Sequence, residues 1–140
     1  MGPQEPTDMM RLCDRIRQAA YELHVYLGGG MLEQIYQRGL AHRLRKLGLR
    51  VETQRPLEVR DEDGEVLGDY FADIFVEDLL IIEIKACKAI ADEHIAQILG
   101  YMRAAGIEHG LLINFGGAKF EIRKFISSKT IPPRKGTKNA

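Results

Sequence analysis

The spacing of apolar residues predicts two helices at the start of the chain. Apolar positions recur three and four residues apart from a Thr7 cap to about Leu27, and the glycines at 28–30 end that helix. A second helix is predicted from about Met31 to Leu47, closed by Gly48. The stripe that we expect it to bury consists of Leu32, Ile35, Tyr36, Leu40, Leu44 and Leu47.

After Gly48 the pattern changes to that of strands. An alternating segment from Leu49 to Val59 is interrupted by Pro56, which places this strand at a sheet edge or bends it there, because proline cannot donate to a ladder. A turn signal at 61–64 leads into a second strand, Glu65 to Val76, and a third, Leu79 to Lys85.

The remaining pattern predicts one more helix and two more strands. Asp92 caps a third helix that reaches Ala105, and Gly106 ends it. The run from Gly110 to Phe115 is continuously apolar and predicts a buried central strand, whereas Lys119 to Ile126 alternates and predicts a half-exposed one. This order predicts an α/β fold, a single-domain mixed β-sheet flanked by helices.

The second and third strands read as a hairpin whose far end carries charge. Glu83 and Lys85 share one face of the third strand because side chains alternate along a strand. Charges at the end of an apolar strand need partners, since burying them alone is costly. Asp73 on the second strand is the nearest candidate. Two carboxylates and an ammonium at one point form a plausible site for a hard divalent cation.

The turn of this hairpin decides whether such a site exists. A two-residue turn at Glu77 and Asp78 sets Asp73 opposite Ile82, so that Asp73 and Glu83 point to different faces. A three-residue turn centred on Asp78, or a bulge, pairs Asp73 with Glu83 on one face. The sequence leaves both registers open, and in the first the hairpin end is a solvated surface with an incidental Glu/Lys pair.

Composition bounds the class of protein. The 140 residues suit one domain, with 45% apolar and 29% charged residues. Lysines and arginines number 20, as do aspartates and glutamates, so net charge neither favours nor excludes a polyanionic partner. The longest apolar run, Leu79 to Ile82, is too short to span a bilayer, and we expect no membrane partner. Cys13 and Cys87 lack metal-site spacing and fit a reducing cytoplasm.

The two ends of the chain and one face of the second helix are polar or charged. Residues 1–8 form a polar N-terminal extension, residues 9–126 the domain, and residues 127–140 a basic C-terminal tail that we expect to be flexible. The second helix carries a basic face, which is either solvated or in contact with phosphates. That face consists of Arg38, His42, Arg45 and Lys46.

Four short motifs stand in a recognisable order. Gly30, Glu33 and Tyr36 precede Asp73; Glu83-x-Lys85 follows ten residues on, and Gln97 and Tyr101 lie four apart on the third helix. This order resembles the PD-(D/E)XK nuclease superfamily, with its αβββαβ restriction-endonuclease-like core and, in RecB-like members, a Q-x-x-x-Y element. More narrowly, the first motif resembles that of the bacterial GxxExxY proteins. Ala72 stands where many superfamily members have proline.

The resemblance implies a role for each motif residue. Asp73, Glu83, the Ile84 carbonyl and Glu33 would bind Mg²⁺ or Mn²⁺, and Lys85 would orient or help deprotonate the attacking water. The supporting or nucleic-acid-binding residues would be Gln97, Tyr101, Tyr36 and His94.

The implied function is a metal-dependent nuclease; DNA is favoured as its substrate, and the sequence leaves RNA open. The alternative is a catalytically silent module of the same fold that binds nucleic acid or a protein partner, and the neutral net charge favours this because duplex affinity rests largely on phosphate neutralisation. Retention of every expected acid and of the lysine favours the nuclease. A homodimer or a partner protein is compatible with both hypotheses.

Overall fold

The computed structural model describes residues 7–127, and it confirms the predicted order of elements. Only Thr7, Asp8 and Ser127 of the two predicted terminal segments lie within this range; the rest falls outside the described residues. Three helices and five strands alternate as two helices, three strands, a helix and two strands. They are α1 (Asp8–Leu27), α2 (Glu33–Lys46), β1 (Val51–Arg60), β2 (Val66–Val76), β3 (Leu80–Lys85), α3 (Asp92–Ala105), β4 (His109–Asn114) and β5 (Glu121–Ile126).

The five strands form one mixed sheet in the order β1-β2-β3-β4-β5. Neighbouring strands pair antiparallel, except that β3 and β4 pair parallel and α3 connects them. The strand β1 lies at the sheet edge, where the missing N–H of Pro56 does least harm. It runs through Pro56 without a break, and the pairing of β1 with β2 is interrupted instead at Gln54, whose φ is 53°.

Each face of the sheet supports its own core. On one face, Ile74, Ile82 and Ile84 pack in a cluster with residues of α1 and α2. On the other, Phe75 and Ile81 pack with residues of α3. The helices therefore flank the sheet on both sides, as expected of an α/β domain. Within residues 7–127, no helix is long and apolar enough to cross a membrane.

The second helix begins later than predicted, and its buried stripe is different. Leu32 remains extended as the residue before the helix, so that α2 starts at Glu33. Leu32, Ile35 and Leu47 are 73%, 42% and 44% exposed, contrary to prediction. The side chains that α2 buries are Tyr36, Leu40, Ala41 and Leu44. The predicted stripe was too wide because Leu32 and Leu47 flank the helix, while Ile35 lies in its exposed first turn.

The hairpin turn has three residues, 77–79, and this fixes the register. Ile74 lies opposite Ile82, and towards the turn Phe75 pairs with Ile81 and Val76 with Leu80. Glu77 and Asp78 both take positive φ, at 56° and 54°, which neither residue type requires and which no glycine signals. The same register continued by one residue sets Asp73 level with Glu83. This is the register that a shared site needs.

Candidate functional site

The ladder between β2 and β3 ends at Ile74 and Ile82, and two carboxylates lie where it stops. The backbone N–H of Asp73 donates to Oε2 of Glu83 at 2.8 Å. In return, the backbone N–H of Ile84 donates to Oδ2 of Asp73 at 2.8 Å. Each acid thus accepts from the opposite strand, and the two side chains are held side by side. The structure brings together the pair that the sequence could only suggest.

Both carboxylates resist ionisation in this position. Glu83 is only 3% exposed, and burial, followed by repulsion from Asp73, raises the pKa of its carboxyl to about 8. Burial likewise raises the pKa of Asp73, with repulsion from Glu33 added. Lys85 and the hydrogen bonds from the backbone act in the opposite direction for both groups. Raised pKa values of neighbouring acids are typical of functional sites, because such an arrangement reduces stability without a compensating charge.

Lys85 extends the cluster towards α3. Its Nζ donates to Oε1 of Gln97 at 3.0 Å, so that β3 and α3 are joined at the site. Tyr101, one turn further along α3, is 8% exposed, and its pKa is raised by burial and then by the charges of Glu83 and Asp73. Tyr70 on β2 packs against Tyr101, with ring centroids 5.0 Å apart. Gln97 and Tyr101 therefore border the charged residues, and their role in bracing the site or contacting nucleic acid stays a prediction.

Glu33 approaches the cluster from α2 but does not complete it. Its Oε2 lies 3.4 Å from the backbone N of Ala86, just beyond Lys85, and its charge raises the pKa of both Asp73 and Glu83. Yet the side chain is exposed, and residues 7–127 contain no group of three acidic, histidine or cysteine side chains close enough to hold a metal ion. Two carboxylates are in place, and Glu33 is near enough to act on them by its charge.

Tyr36 belongs to the core rather than to the cluster. Its ring stacks on Phe115 at 4.4 Å and is fully buried. Its hydroxyl donates to the Gly28 carbonyl at 2.6 Å and accepts from the Met31 N–H at 3.2 Å. The tyrosine thereby holds the link between α1 and α2, in which Gly30 has a φ of 93°. Its contribution to the site is indirect, because that link sets where Glu33 begins α2.

The structure gives His94 a structural contact in place of the expected one. The backbone N–H of Ala91 donates to Nδ1 of His94 at 3.0 Å, while the backbone N–H of His94 donates to the Ala91 carbonyl at 3.0 Å. Ala91, not Asp92, is therefore the residue that caps α3. No hydrogen bond within residues 7–127 joins His94 to Asp73, Glu83 or Lys85. Spacing alone had placed it near Gln97, but its ring is turned to the helix start.

Residues 10–125 match the family model of the PD-(D/E)XK nuclease superfamily. The chain belongs to this superfamily. Its fold is also similar to the crystal structure of SSO0001, with a TM-score of 0.55, 20% sequence identity, and coverage of 82% of this chain and 62% of that one. The chain thus spans less than two thirds of that relative, and the likeness concerns the fold alone. No curated protein matches the sequence.

Gln54 contacts the carboxylate cluster, although no sequence pattern singled it out. Its Nε2 is 3.3 Å from Oδ1 of Asp73 and 3.2 Å from Oε1 of Gln37. The positive φ of Gln54 is sparsely populated for a residue with a side chain, and such strain concentrates at functional sites. Only its place between two strand-like segments, just before Pro56, hints at this position in the sequence.

Asn114 is a second residue that the sequence analysis missed. It is 1% exposed, and its side chain bonds the backbone N–H and carbonyl of Cys87 and the N–H of Gly116. A Cβ added to Gly116 would lie 2.6 Å from the backbone N of Cys87, so the β4–β5 turn presses against the chain just after Lys85. Buried polar side chains need partners. The single amide in the apolar run of β4 was therefore a usable signal.

The side chains of this cluster provide some, but not all, of the oxygen ligands that a hard divalent cation needs. Asp73 and Glu83 supply carboxylate oxygens, which Mg²⁺ and Mn²⁺ favour, and the mutual repulsion of these acids would be relieved by a positive ion. The N–H of Ile84 faces β2, and because the N–H and C=O of one strand residue share an edge, its carbonyl faces the same side. Glu33 would have to move closer to add a further oxygen.

Proposed function

We propose that this chain is a metal-dependent nuclease that hydrolyses phosphodiester bonds of nucleic acid, DNA rather than RNA. The observation that carries the proposal is the pairing of Asp73 with Glu83 at the open end of the hairpin, with Lys85 beside them. Buried acids with raised pKa values have no structural benefit that an apolar pair would not exceed. Membership of the PD-(D/E)XK nuclease superfamily supports the same assignment.

In this proposal Asp73, Glu83 and the Ile84 carbonyl hold Mg²⁺ or Mn²⁺, and Glu33 contributes from α2. When bound, the divalent ion lowers the pKa of a water molecule and offsets the charge of the scissile phosphate. Lys85 orients that water and donates a hydrogen bond to the charge that develops on the phosphate. Gln97, whose Oε1 accepts from Lys85, fixes the position of the ammonium group.

The narrower assignment to the GxxExxY proteins is also part of the proposal. Gly30, Glu33 and Tyr36 match that motif, and the contacts of Tyr36 explain why its parts belong together. The glycine permits the bend after α1, the tyrosine holds it, and the glutamate starts α2 facing β3 and Ala86. We assign Tyr36 a positioning role, and Gln97 and Tyr101 contacts to Lys85 or to nucleic acid.

The decisive experiment is a cleavage assay with labelled single- and double-stranded DNA and RNA. Each substrate is incubated with Mg²⁺, with Mn²⁺ and with EDTA. We expect strand scission with either metal, none with EDTA, and faster scission of DNA. Asp73→Asn and Glu83→Gln serve as inactive controls against a contaminating nuclease. Cleavage that persists in either variant, or in EDTA, would contradict the assignment.

A silent binding module is the second candidate, and one observation favours it. The described residues hold no ready set of three metal-binding side chains, since Glu33 remains exposed. If this candidate is correct, the wild-type protein binds the same oligonucleotides with unchanged affinity in EDTA and cleaves none of them. Binding that tightens with Mn²⁺, accompanied by cleavage, supports the enzyme instead.

A further inference from the structure

A polar groove lies between α2 and β1, next to the carboxylate pair. It has a volume of about 400 Å³, and its lining includes Gln37, Arg38, Arg45, Thr53 and Gln54. None of the residues that line it is acidic. A groove with guanidinium and amide groups and no carboxylate is suited to an anionic ligand.

One residue of the groove also contacts the proposed active site. Gln54 belongs to its wall, and the same Nε2 lies within hydrogen-bond distance of Oδ1 of Asp73 and of Oε1 of Gln37. One side chain thus connects the acid proposed to bind metal with the helix that forms the opposite wall. A ligand that lay along the groove would reach Asp73 at one end.

The two arginines of the groove have no carboxylate partner within residues 7–127. The ion pairs of this part of the chain involve neither Arg38 nor Arg45, and both side chains are exposed. Arg45 donates one N–H to the Val51 carbonyl at 3.1 Å, which anchors its guanidinium to β1. Further donors remain on each arginine, and a planar fork of donors matches the oxygens of a phosphate.

We infer that this groove binds phosphates of the nucleic-acid strand that flanks the scissile bond. The inference rests on the proposed nuclease function and specifies where its substrate lies. Arg38 and Arg45 are two helical turns apart, about 10 Å along the axis of α2. Nucleotides of one duplex strand advance about 3.4 Å each, so the pair spans about three of them. The groove therefore extends the site away from the carboxylates on the α2 side.

The test measures binding and its dependence on salt. A fluorescent DNA strand, single or paired, is titrated with wild type, Arg38→Gln, and the Arg38→Gln/Arg45→Gln double variant in EDTA. If each arginine neutralises one phosphate, the double variant loses about tenfold or more in affinity at about 0.1 M salt. Its plot of log affinity against log salt becomes shallower by about 1.4 for the single strand and about 1.8 for the duplex. Arg38→Gln alone gives half of that change.

Arg17→Gln is the matched control, because Arg17 is an exposed arginine of α1 outside the groove. It removes the same charge as Arg38→Gln and should leave the salt slope unchanged. Equal slopes for the control and the groove variants, or no binding by wild type, would overturn the groove assignment. Equal affinity of wild type for polyglutamate and for DNA would do so too, because the groove would then be a general polyanion surface.

A small phosphodiester such as bis(p-nitrophenyl) phosphate separates this inference from the function it rests on. In the presence of Mn²⁺, the double variant should lose at least about tenfold more kcat/KM on an oligonucleotide than on the small ester, because only the longer substrate reaches the arginines. Equal losses on both substrates overturn the groove assignment. If wild type hydrolyses neither substrate, the nuclease proposal fails, while the salt slopes still decide whether the groove binds phosphates.

Discussion

The two ends of the β2–β3 hairpin are built differently from the same two strands. At the turn end, Ile74, Val76, Leu80 and Ile82 are fully buried, and the strands pair backbone to backbone. One residue further from the turn, the ladder stops, and the side chains of Asp73 and Glu83 accept from the backbone in its place. The first end provides stability, and the second gives up ladder bonds to hold two acidic side chains together.

This difference shows how the turn end positions the polar end. The apolar side chains of the two strands pack into two different cores, so a slip by one residue would exchange their faces and disrupt the packing of both. The register, once fixed, places the two acids level with each other one residue further on. Precision at the site therefore comes from packing at the other end of the hairpin, and substitutions at the two ends should have opposite effects.

The largest expected effect is on catalysis at the open end. Asp73→Asn and Glu83→Gln should each lower cleavage by about 10³-fold or more, because the divalent ion loses a charged oxygen. Without metal, both variants should be as stable as wild type or slightly more so, since a buried repulsion is removed. Cleavage rates and thermal unfolding with and without Mn²⁺ provide the measurements. Stabilisation by Mn²⁺ that survives in Asp73→Asn would contradict its role as a ligand.

Lys85→Ala should separate turnover from metal binding. We expect cleavage to fall by about 10²-fold or more, because the lysine acts on charge that develops in the transition state. Stabilisation by Mn²⁺ should be largely kept, since Lys85 supplies no oxygen. Lys119→Ala, an exposed lysine of the β4–β5 turn, is the control and should leave both quantities unchanged. Full activity of Lys85→Ala would exclude the assigned role.

At the turn end, Ile82→Ala should act on stability. Ile82 is fully buried in the cluster under α1 and α2. Removing its branched side chain leaves a cavity, which should lower the free energy of unfolding by about 2–5 kcal/mol. Leu79→Ala, in the same turn but 54% exposed, should change this quantity by less than about 0.5 kcal/mol. Urea unfolding measures both. A small loss in Ile82→Ala would mean that the turn end does not carry the register.

The element order was predictable because the hydrophobic periods are strong. Apolar spacing of three and four gave α1 and α3 to within a residue or two, and the continuous run in β4 gave a buried interior strand. The start of α2 was misplaced because Leu32 is apolar yet extended. Local pattern detects periodicity, but it does not reveal which apolar residue lies just outside a helix.

The site was predictable only as a set of candidates. Its geometry depends on the turn, where Glu77 and Asp78 take positive φ. No glycine in the sequence indicates this backbone conformation. Gln54 was missed for the same reason, because a strained backbone leaves no mark in residue type. Asn114 differs: a lone amide in an apolar strand was visible, and its partners across the chain were not.

The last expected effect is a dependence of stability on pH that belongs to the open end. The pKa of Glu83 lies near 8 in the folded protein against 4.5 ordinarily, so the folded state binds a proton that the unfolded state has released between these values. Stability contributed by this group is therefore fully present below pH 4.5 and is lost as pH rises towards about 8. The raised pKa of Asp73 acts in the same direction.

Urea unfolding of wild type and Glu83→Gln in EDTA, from about pH 5 to about pH 8.5, isolates the contribution of the coupled Asp73–Glu83 pair, because the titrating groups outside the pair are common to both proteins. The free energy of unfolding of wild type should fall relative to that of the variant as pH rises. Mn²⁺ should reverse the trend in wild type alone, since an ion that binds the ionised pair stabilises the folded state most at high pH. A difference that stays flat with pH would mean that Glu83 is already ionised beside Asp73. The cost of bringing the two acids together would then be met by Lys85 and the backbone donors, without a metal ion.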